Sequence, residues 1–252
     1  MERIFVFGAT LLLAVGLLGC GKQAVVGPQQ LVILIDVSDS IEPAAEEQAF
    51  AAIDRVIAQR QRGDRITVIP INGDAQAESS GRVIRFEVPT VRQAYDNDLR
   101  NFRNNLKRLL EEFKDAAMAS PGSRTDILGA VSLAQQEFQF RAGSSKKSLV
   151  ILSDFIQDDS ELNFLRDTRL ASKVVAKEFA MQSAKTNAID LRGVPVYLGL
   201  LRSKDYKGVG RNRREAIQQF WIEYFNSSGA KVDLAVDGTG LLDFFIGDRV
   251  KH

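Results

Sequence analysis

Short apolar runs of strand length alternate with amphipathic segments of helix length along the chain after residue 30. Leu31–Asp36 is a continuous apolar run, which is typical of a strand buried on both faces. Three later runs have the same character: Arg65–Ile71, Lys147–Asp154 and Val194–Leu201. Strands that alternate with helices predict an α/β fold, in which a mostly parallel central sheet carries helices on both faces.

The remaining segments complete this pattern. Arg82–Val88 alternates polar and apolar residues, as a half-exposed edge strand does, and we expect one antiparallel edge strand in the sheet. Apolar residues at helical spacing predict helices in the segments between strands. The predicted helices are Pro43–Gly63, Ala94–Ala119, a segment opened by Thr125, Leu170–Thr186, Arg213–Phe225 and a short Leu241–Ile246, with a last strand at Lys231–Val236.

The first residues have the order of a secretory signal rather than of a folded element. Arg3 precedes an uncharged, largely apolar run from Ile4 to Leu18, and Gly19 and Cys20 follow. Leu17-Leu18-Gly19-Cys20 resembles the lipobox of bacterial lipoproteins. The resemblance implies a cleaved signal peptide over 1–19, an acylated Cys20, a short tether over 20–30, and a lipid-anchored protein on the periplasmic side of the cell envelope, at the inner or the outer membrane.

Composition limits the function classes that remain. The chain has 252 residues, 45% of them hydrophobic, which suits one domain over 31–252. With 33 basic and 32 acidic residues, no excess of charge favours nucleic acid. The chain has no phosphate-binding loop, no nucleophile elbow, and no His before His252. We therefore expect neither a nucleic acid partner nor a small-molecule substrate.

Oxygen-bearing side chains gather where two predicted strands end. Asp36, Ser38 and Ser40 follow the first strand, Asp154 ends the strand that begins at Lys147, and Thr125 precedes a helix. Ligands of α/β sheets gather at the carboxyl ends of strands. Carboxylates and hydroxyls suit Mg²⁺, Ca²⁺ or Mn²⁺ rather than Zn²⁺. The pattern predicts a divalent cation site, although the serines could instead cap the helix that follows them.

This set resembles the metal-ion-dependent adhesion site of von Willebrand factor A domains. The family places Asp-x-Ser-x-Ser after the first strand, a Thr before a middle helix, as in Ser123–Ile127, and an Asp after the next core strand, as in Leu152–Phe155. The resemblance covers about Leu31 to Ile246, although the segment between the second strand and the Thr is long. It implies a single Rossmann-like domain in which Asp36, Ser38, Ser40, Thr125 and Asp154 hold the cation, directly or through water.

The resemblance also implies a binding mechanism, in which a protein partner supplies an Asp or Glu carboxylate to an open position of the cation. Asp39, between the two serines, is then a loop residue that points away. Two alternatives stay open. A haloacid dehalogenase-like phosphatase would use Asp36, with Asp154, Asp158 and Asp159 as its later acidic motif, but Ser38 replaces the second Asp that such enzymes need. A structural lipoprotein with a non-functional site is the other alternative.

Two further features are less specific. The basic residues between 202 and 214 could attract an acidic partner or lipid headgroups, and a solvated loop is the simpler interpretation. The aromatic residues Phe220, Trp221, Tyr224 and Phe225 recur at helical spacing, and packing in the core is the expectation for them.

Overall fold

The computed structural model describes residues 27–71, 73, 83–88, 90, 124–140 and 146–235, with separate positions between 100 and 115. The predicted signal peptide 1–19, Cys20, the first part of the tether and the predicted helix Leu241–Ile246 lie outside the described residues. The described positions between 100 and 115 are helical and fall inside the predicted helix Ala94–Ala119.

A single six-stranded sheet forms the centre of the molecule, in the spatial order β3-β2-β1-β4-β5-β6. All pairs are parallel except β2 with β3, which is the antiparallel edge pair. This confirms the predicted fold class. The strands are β1 (Gln29–Asp36), β2 (Arg65–Ile71), β3 (Ile84–Glu87), β4 (Lys146–Ser153), β5 (Pro195–Leu200) and β6 (Lys231–Ala235).

Helices connect the strands and cover the sheet. They are α1 (Pro43–Ala58), α2 (Ile127–Phe140), α3 (Lys173–Thr186), α4 (Lys204–Gly208) and α5 (Arg211–Ser227), with a 3₁₀ turn at Thr168–Leu170 before α3. In the part of the chain that is described, none of the helices has the length and apolar character needed to cross a membrane.

The alternation of side chains along β1 builds two apolar layers. Ile33 and Ile35 point to the layer that contains Ile53 of α1. Val32 and Leu34 point to the opposite layer, where α2, α3 and α5 pack. All four of these β1 side chains are fully buried. A strand buried on both faces needs apolar residues without interruption, and this explains why the run in the sequence is continuous.

Two element ends differ from the sequence prediction. β1 begins at Gln29 rather than Leu31, because Gln29 and Gln30 already pair with Lys146 and Lys147 of β4. α1 ends at Ala58 instead of reaching Gly63. Gly63 lies with a φ of 81° in the turn that leads into β2, a conformation that glycine adopts without a steric penalty.

The basic residues between 202 and 214, predicted as a solvated loop, lie largely in two helices. Ser203 begins the short helix α4, where its Oγ accepts a hydrogen bond from the Tyr206 backbone N at 2.9 Å. Lys207 forms an ion pair with Glu42, which immediately precedes α1. Helix α5 then starts at Arg211, two residues before the predicted position. Capping by Ser203 favours the short helix, and the ion pair with Glu42 and the hydrogen bond from the Lys204 backbone N to the Ser40 carbonyl connect the segment to the rest of the domain.

The strand order of the sheet indicates where a ligand-binding site would lie. β1 pairs with β2 on one side and with β4 on the other, so the direction of strand order reverses between β1 and β4. In open α/β sheets the crevice at such a reversal, at the carboxyl ends of the strands, binds ligands. Asp36 is the last residue of β1, and Asp154 follows the last residue of β4.

Candidate metal centre

Asp36 lies at the end of β1 and is fully buried. Its Oδ1 accepts from the Ser38 backbone N at 3.0 Å, so the loop after β1 folds back over the carboxylate. Its Oδ2 accepts from Ser153 Oγ, the last residue of β4, at 2.6 Å. The carboxylate is therefore fixed by one donor from its own loop and one from the neighbouring strand.

The two serines of the Asp36-x-Ser-x-Ser loop extend this arrangement across the edge of the sheet. Ser38 Oγ lies 3.1 Å from Ser40 Oγ, and Ser40 Oγ donates to Asp154 Oδ2 at 3.4 Å. Ser38 is buried, and Ser40 is half-buried. Side-chain hydrogen bonds thus connect the loop after β1 with the residue that follows β4, and three predicted ligands, Ser38, Ser40 and Asp154, lie in one chain of contacts.

Asp154 is fully buried as well, at the start of the loop after β4. Its Oδ1 accepts from the Ile156 backbone N at 2.9 Å. Leu201, which follows β5, donates its backbone N to the Ser153 carbonyl at 2.9 Å, so the loop after β5 begins beside this carboxylate. Both predicted carboxylate ligands therefore lie under polypeptide at the same edge of the sheet.

The electrostatics of the two carboxylates are unfavourable without a counter-charge. Burial raises the pKa of Asp36, and hydrogen bonds from Ser153 and Ser38 only partly oppose that rise. Burial, together with repulsion from Asp36, raises the pKa of Asp154 to about 7. Within the described residues, neither carboxylate has an ion pair with a lysine or arginine. Two adjacent buried acids are a site where positive charge would be stabilised.

The loop after β5 contributes a residue that sequence reasoning missed. Ile41 and Ser203 form an antiparallel bridge, the Glu42 backbone N donates to the Arg202 carbonyl, and the Lys204 backbone N donates to the Ser40 carbonyl. Because β4 separates β1 from β5, this loop crosses the end of β4 to reach the β1 loop. Ser203 is 1% exposed, and its hydroxyl lowers the pKa of Asp154 by hydrogen bonding.

Ser153 is the second residue that was missed. Its Oγ donates to Asp36 and accepts from the Phe155 backbone N at 2.9 Å, so it links the two halves of the site. Its position next to Asp154 and after a buried strand was a signal that could have identified it. Ser203 offered a weaker signal, since only the crossing of the β5 loop brings it to the site.

Thr125 lies at the same edge but outside the chain of contacts. It does not open a helix, because its backbone N and O pair with Asp158 at 2.8 and 2.9 Å and α2 begins two residues later. Its side chain is 5% exposed. The structure therefore joins Asp36, Ser38, Ser40 and Asp154 directly, and holds Thr125 only through its backbone to the loop after β4.

Gln157 explains why the loop with Thr125 is held in place. Its buried Oε1 accepts from the backbone N of Ile127 and Leu128, at 2.8 and 3.1 Å, which caps the start of α2. Its Nε2 donates to Asp126 Oδ1 at 3.2 Å and to Asp159 Oδ2 at 2.6 Å. The first backbone N–H groups of a helix have no hydrogen-bond partner within the helix. The loop that begins at Asp154 supplies partners for two of them and so fixes the start of α2.

The other carboxylates of the region have loop roles. Asp39 is exposed in the turn between the two serines. Asp158 Oδ1 accepts from Asn163 Nδ2 at 2.9 Å, and Asp159 Oδ1 accepts from the backbone N of Glu161 and Leu162. These contacts involve Asp158 and Asp159, two of the three acids that a phosphatase interpretation would use as its later acidic motif, and the third is Asp154.

The donor set fits a hard divalent cation. Where the structure describes the chain, it contains no cluster of three or more His, Cys, Asp or Glu side chains placed to hold a metal. A cation here would instead depend on two carboxylates, on hydroxyls and on water, which are ligands that suit Mg²⁺, Ca²⁺ and Mn²⁺. The buried pair Asp36 and Asp154, which has no ion pair with a basic side chain of the described residues, supplies the negative charge that such an ion requires.

Comparison with known proteins supports the fold. No protein-family model and no curated protein matches the chain. The pilus adhesin SpaC from Lactobacillus rhamnosus GG is similar with a TM-score of 0.51 and 12% identity, over 91% of this chain and 30% of that one. BatB, a conserved hypothetical protein from Bacteroides thetaiotaomicron, has a TM-score of 0.47 and 16% identity over 89% of this chain and 100% of its own.

A von Willebrand factor type A protein from Catenulispora acidiphila is similar as well, with a TM-score of 0.48 and 17% identity over 89% of this chain and 42% of that one. At these identities the likeness concerns the fold alone. The fold of the chain is an α/β fold with one mostly parallel six-stranded sheet.

Proposed function

We propose that this chain is a membrane-anchored, divalent-cation-dependent protein-binding module, which captures an acidic side chain of its partner through the cation. The observation that carries the proposal is the buried pair Asp36 and Asp154, at the switch point of the sheet, with no basic side chain beside them in the described residues. Buried carboxylates without a counter-charge are costly to a fold, and a bound cation would offset that cost.

In this proposal the cation is Mg²⁺, or Ca²⁺ or Mn²⁺, and its ligands are Asp36, Ser38, Ser40, Thr125 and Asp154, directly or through water. An ion held partly by neutral hydroxyls keeps residual positive charge, which attracts a carboxylate from outside. The chain's own residues orient the ligands: Ser153 fixes Asp36, and the Ile156 backbone N fixes Asp154. Ser40, which is half-buried, is the least buried of the four residues in the chain of contacts.

The membrane anchor is part of the same proposal. Cleavage before Cys20 and acylation of its thiol would hold the domain at a membrane of the bacterial envelope, on the periplasmic side, by a short tether. Two acyl chains are enough for stable anchoring, whereas one gives only reversible binding. Palmitate labelling of the full-length chain tests this, because the label should disappear in Cys20→Ala. A label that remained in this variant would rule the anchor out.

An affinity capture from envelope membranes tests the binding function. The full-length chain, immobilised in non-ionic detergent, should retain a protein partner in Mg²⁺ or Mn²⁺ and release it in EDTA. Asp36→Asn should retain none, while Asp233→Asn, which alters an exposed carboxylate on β6, should behave like the unmodified chain. Capture that is equal in EDTA and in Asp36→Asn would contradict the cation-dependent function.

A further inference from the structure

Phe155, the residue directly after Asp154, has an unusual backbone conformation. Its φ is 64°, in the left-handed region that glycine and asparagine enter readily and a bulky aromatic residue does not. Strained residues of this kind persist only where their surroundings hold them, and they cluster at functional sites. The contacts that hold Phe155 in this conformation can therefore also fix the orientation of the adjacent Asp154 carboxylate.

The peptide group between Phe155 and Ile156 is held at both ends. Its carbonyl accepts a hydrogen bond from the Trp221 indole Nε1 at 2.9 Å, and its N–H donates to Asp154 Oδ1 at 2.9 Å. A peptide group is planar and nearly rigid, so the directions of its C=O and N–H are fixed relative to each other. One rigid unit thus connects the indole of α5 to a carboxylate of the candidate site.

The indole is itself firmly placed. Trp221 is 1% exposed, and five aromatic rings surround it with centroids 5.2 to 6.3 Å away, those of Phe155, Phe164, Phe220, Tyr224 and Phe225. Aromatic rings in these tilted, edge-on and stacked arrangements pack favourably, and a buried indole N–H needs an acceptor. The helix therefore presents its N–H at a defined point, and the Phe155 carbonyl is the group that receives it.

We propose that Trp221 is a positioning residue for the cation site, which acts by holding the Phe155–Ile156 peptide group so that the Ile156 N–H orients the Asp154 carboxylate. This inference rests on the proposed cation-binding function. Removal of the indole donor leaves the Phe155 carbonyl without this partner, and the left-handed conformation is then held only at its N–H side, where the Phe155 backbone N donates to Ser153 Oγ. The Ile156 N–H no longer has a fixed direction, and Asp154 loses its preorganised orientation.

The first test compares two conservative variants of neighbouring aromatic residues. Trp221→Phe keeps an aromatic ring and removes the donor to Phe155. Tyr224→Phe, the matched control on the same helix, removes a hydroxyl that accepts from Asn187 Nδ2 at 3.3 Å and does not contact the site. Calorimetric titration of the full-length chain with Mn²⁺, well below both melting temperatures, should show roughly 10- to 100-fold weaker binding for Trp221→Phe, the range found when groups that orient metal ligands are removed.

Tyr224→Phe should bind Mn²⁺ with an affinity within about twofold of that of the unmodified chain. The lost hydroxyl contacts Asn187, so its removal should change the stability of the core and leave the orientation of the proposed metal ligands unchanged. If Trp221→Phe lowers the melting temperature but leaves the Mn²⁺ affinity unchanged, Trp221 is a core residue only and the inference is wrong. If the unmodified chain binds no Mn²⁺, the proposed function itself fails, and that result is distinct from a failure of the variant alone.

A second measurement needs no Trp221 variant and therefore does not depend on the folding of one. Trp221 is the only tryptophan of the chain, so a ¹⁵N-labelled sample gives one indole N–H resonance. Addition of Mg²⁺ should shift this resonance, and the shift should saturate at the concentration that saturates a calorimetric titration with Mg²⁺. The shift should be absent in Asp36→Asn. A resonance that does not move while calorimetry shows binding would overturn the inference.

Discussion

Ser153 Oγ donates a hydrogen bond of 2.6 Å to Asp36 Oδ2, although 117 residues separate them in the chain. The contact is possible because β1 and β4 are adjacent parallel strands whose carboxyl ends meet at the same edge. It joins the ends of the two strands between which the order of the sheet reverses. Through it, the last residue of β4 orients a carboxylate that belongs to β1.

Ser153→Ala should weaken cation binding more than it weakens the fold. Loss of the hydroxyl leaves Asp36 Oδ2 without its donor, and removal of a group that orients a metal ligand typically costs roughly 10- to 100-fold in affinity. Ser132→Ala is the matched control, because its Oγ only donates to the Leu128 carbonyl within α2. Calorimetric titration with Mn²⁺ compares the two, and equal affinities would show that Ser153 does not orient a ligand.

The stability of the metal-free protein should fall as pH rises. The pKa of Asp154 is raised to about 7 in the folded state, above the usual value of 3.8, so the folded state binds this proton more tightly than the unfolded state does. Its contribution to stability is complete below pH 3.8 and is lost as pH rises towards 7. Asp36 acts in the same direction.

Thermal melting in EDTA from pH 5 to pH 7.5 measures this effect. The melting temperature of the unmodified chain should decrease over the range, and that of Asp154→Asn, which cannot titrate there, should change less. Saturating Mg²⁺ should reduce the decrease, because a cation stabilises the ionised carboxylates and binds more tightly as they lose their protons. A melting temperature that increases with pH in EDTA would contradict the account of the buried pair.

Gln157→Ala should destabilise the domain through the start of α2. The substitution removes the acceptor of the Ile127 and Leu128 backbone N–H groups, and buried donors left without a partner cost about 1 to 3 kcal/mol. Because Gln157 lies one residue before Asp158, which pairs with Thr125, cation affinity should fall as well. Urea unfolding measures the first effect. An unchanged free energy of unfolding would show that other groups cap α2.

Much of the fold was predictable, because a strand buried on both faces must be apolar throughout and its end must be polar. Leu31–Asp36 satisfies both conditions, and the observed β1 differs only by two polar residues at its start. The end of α1 was predicted five residues too late, since Gly63 belongs to a turn that Asp64 stabilises by long-range contact with Gln29. Local periodicity does not report such contacts.

The candidate site was predictable in part, because polar residues at the end of an apolar strand can be recognised in the sequence. Asp36 and Asp154 are recognisable because each stands where a buried strand ends. Ser203 and Trp221 are not, because one reaches the site by a loop that crosses β4, and the other acts through the carbonyl of Phe155. Aromatic spacing on α5 predicts that Trp221 is buried, as it is, but contains no information about the acceptor of its N–H.

If the site were catalytic rather than a binding site, the chain would hydrolyse a phosphate ester, and a phosphatase assay distinguishes the two functions. A phosphatase of the haloacid dehalogenase type needs an acid two residues after its nucleophile, and Ser38 stands there with its Oγ beside Ser40. We expect no hydrolysis of p-nitrophenyl phosphate above background in Mg²⁺. Activity that disappears in Asp36→Asn would establish an enzyme and overturn the binding interpretation.

Calorimetric titration of the full-length chain with Mg²⁺ and Mn²⁺ tests the central claim most directly, because the account rests on a cation at Asp36 and Asp154. We expect one cation per chain, no measurable binding in Asp36→Asn or Asp154→Asn, and unchanged binding in Asp233→Asn. The melting temperature should increase with cation only where binding is measured. The absence of binding to the unmodified chain, or equal binding in Asp36→Asn, would contradict the account.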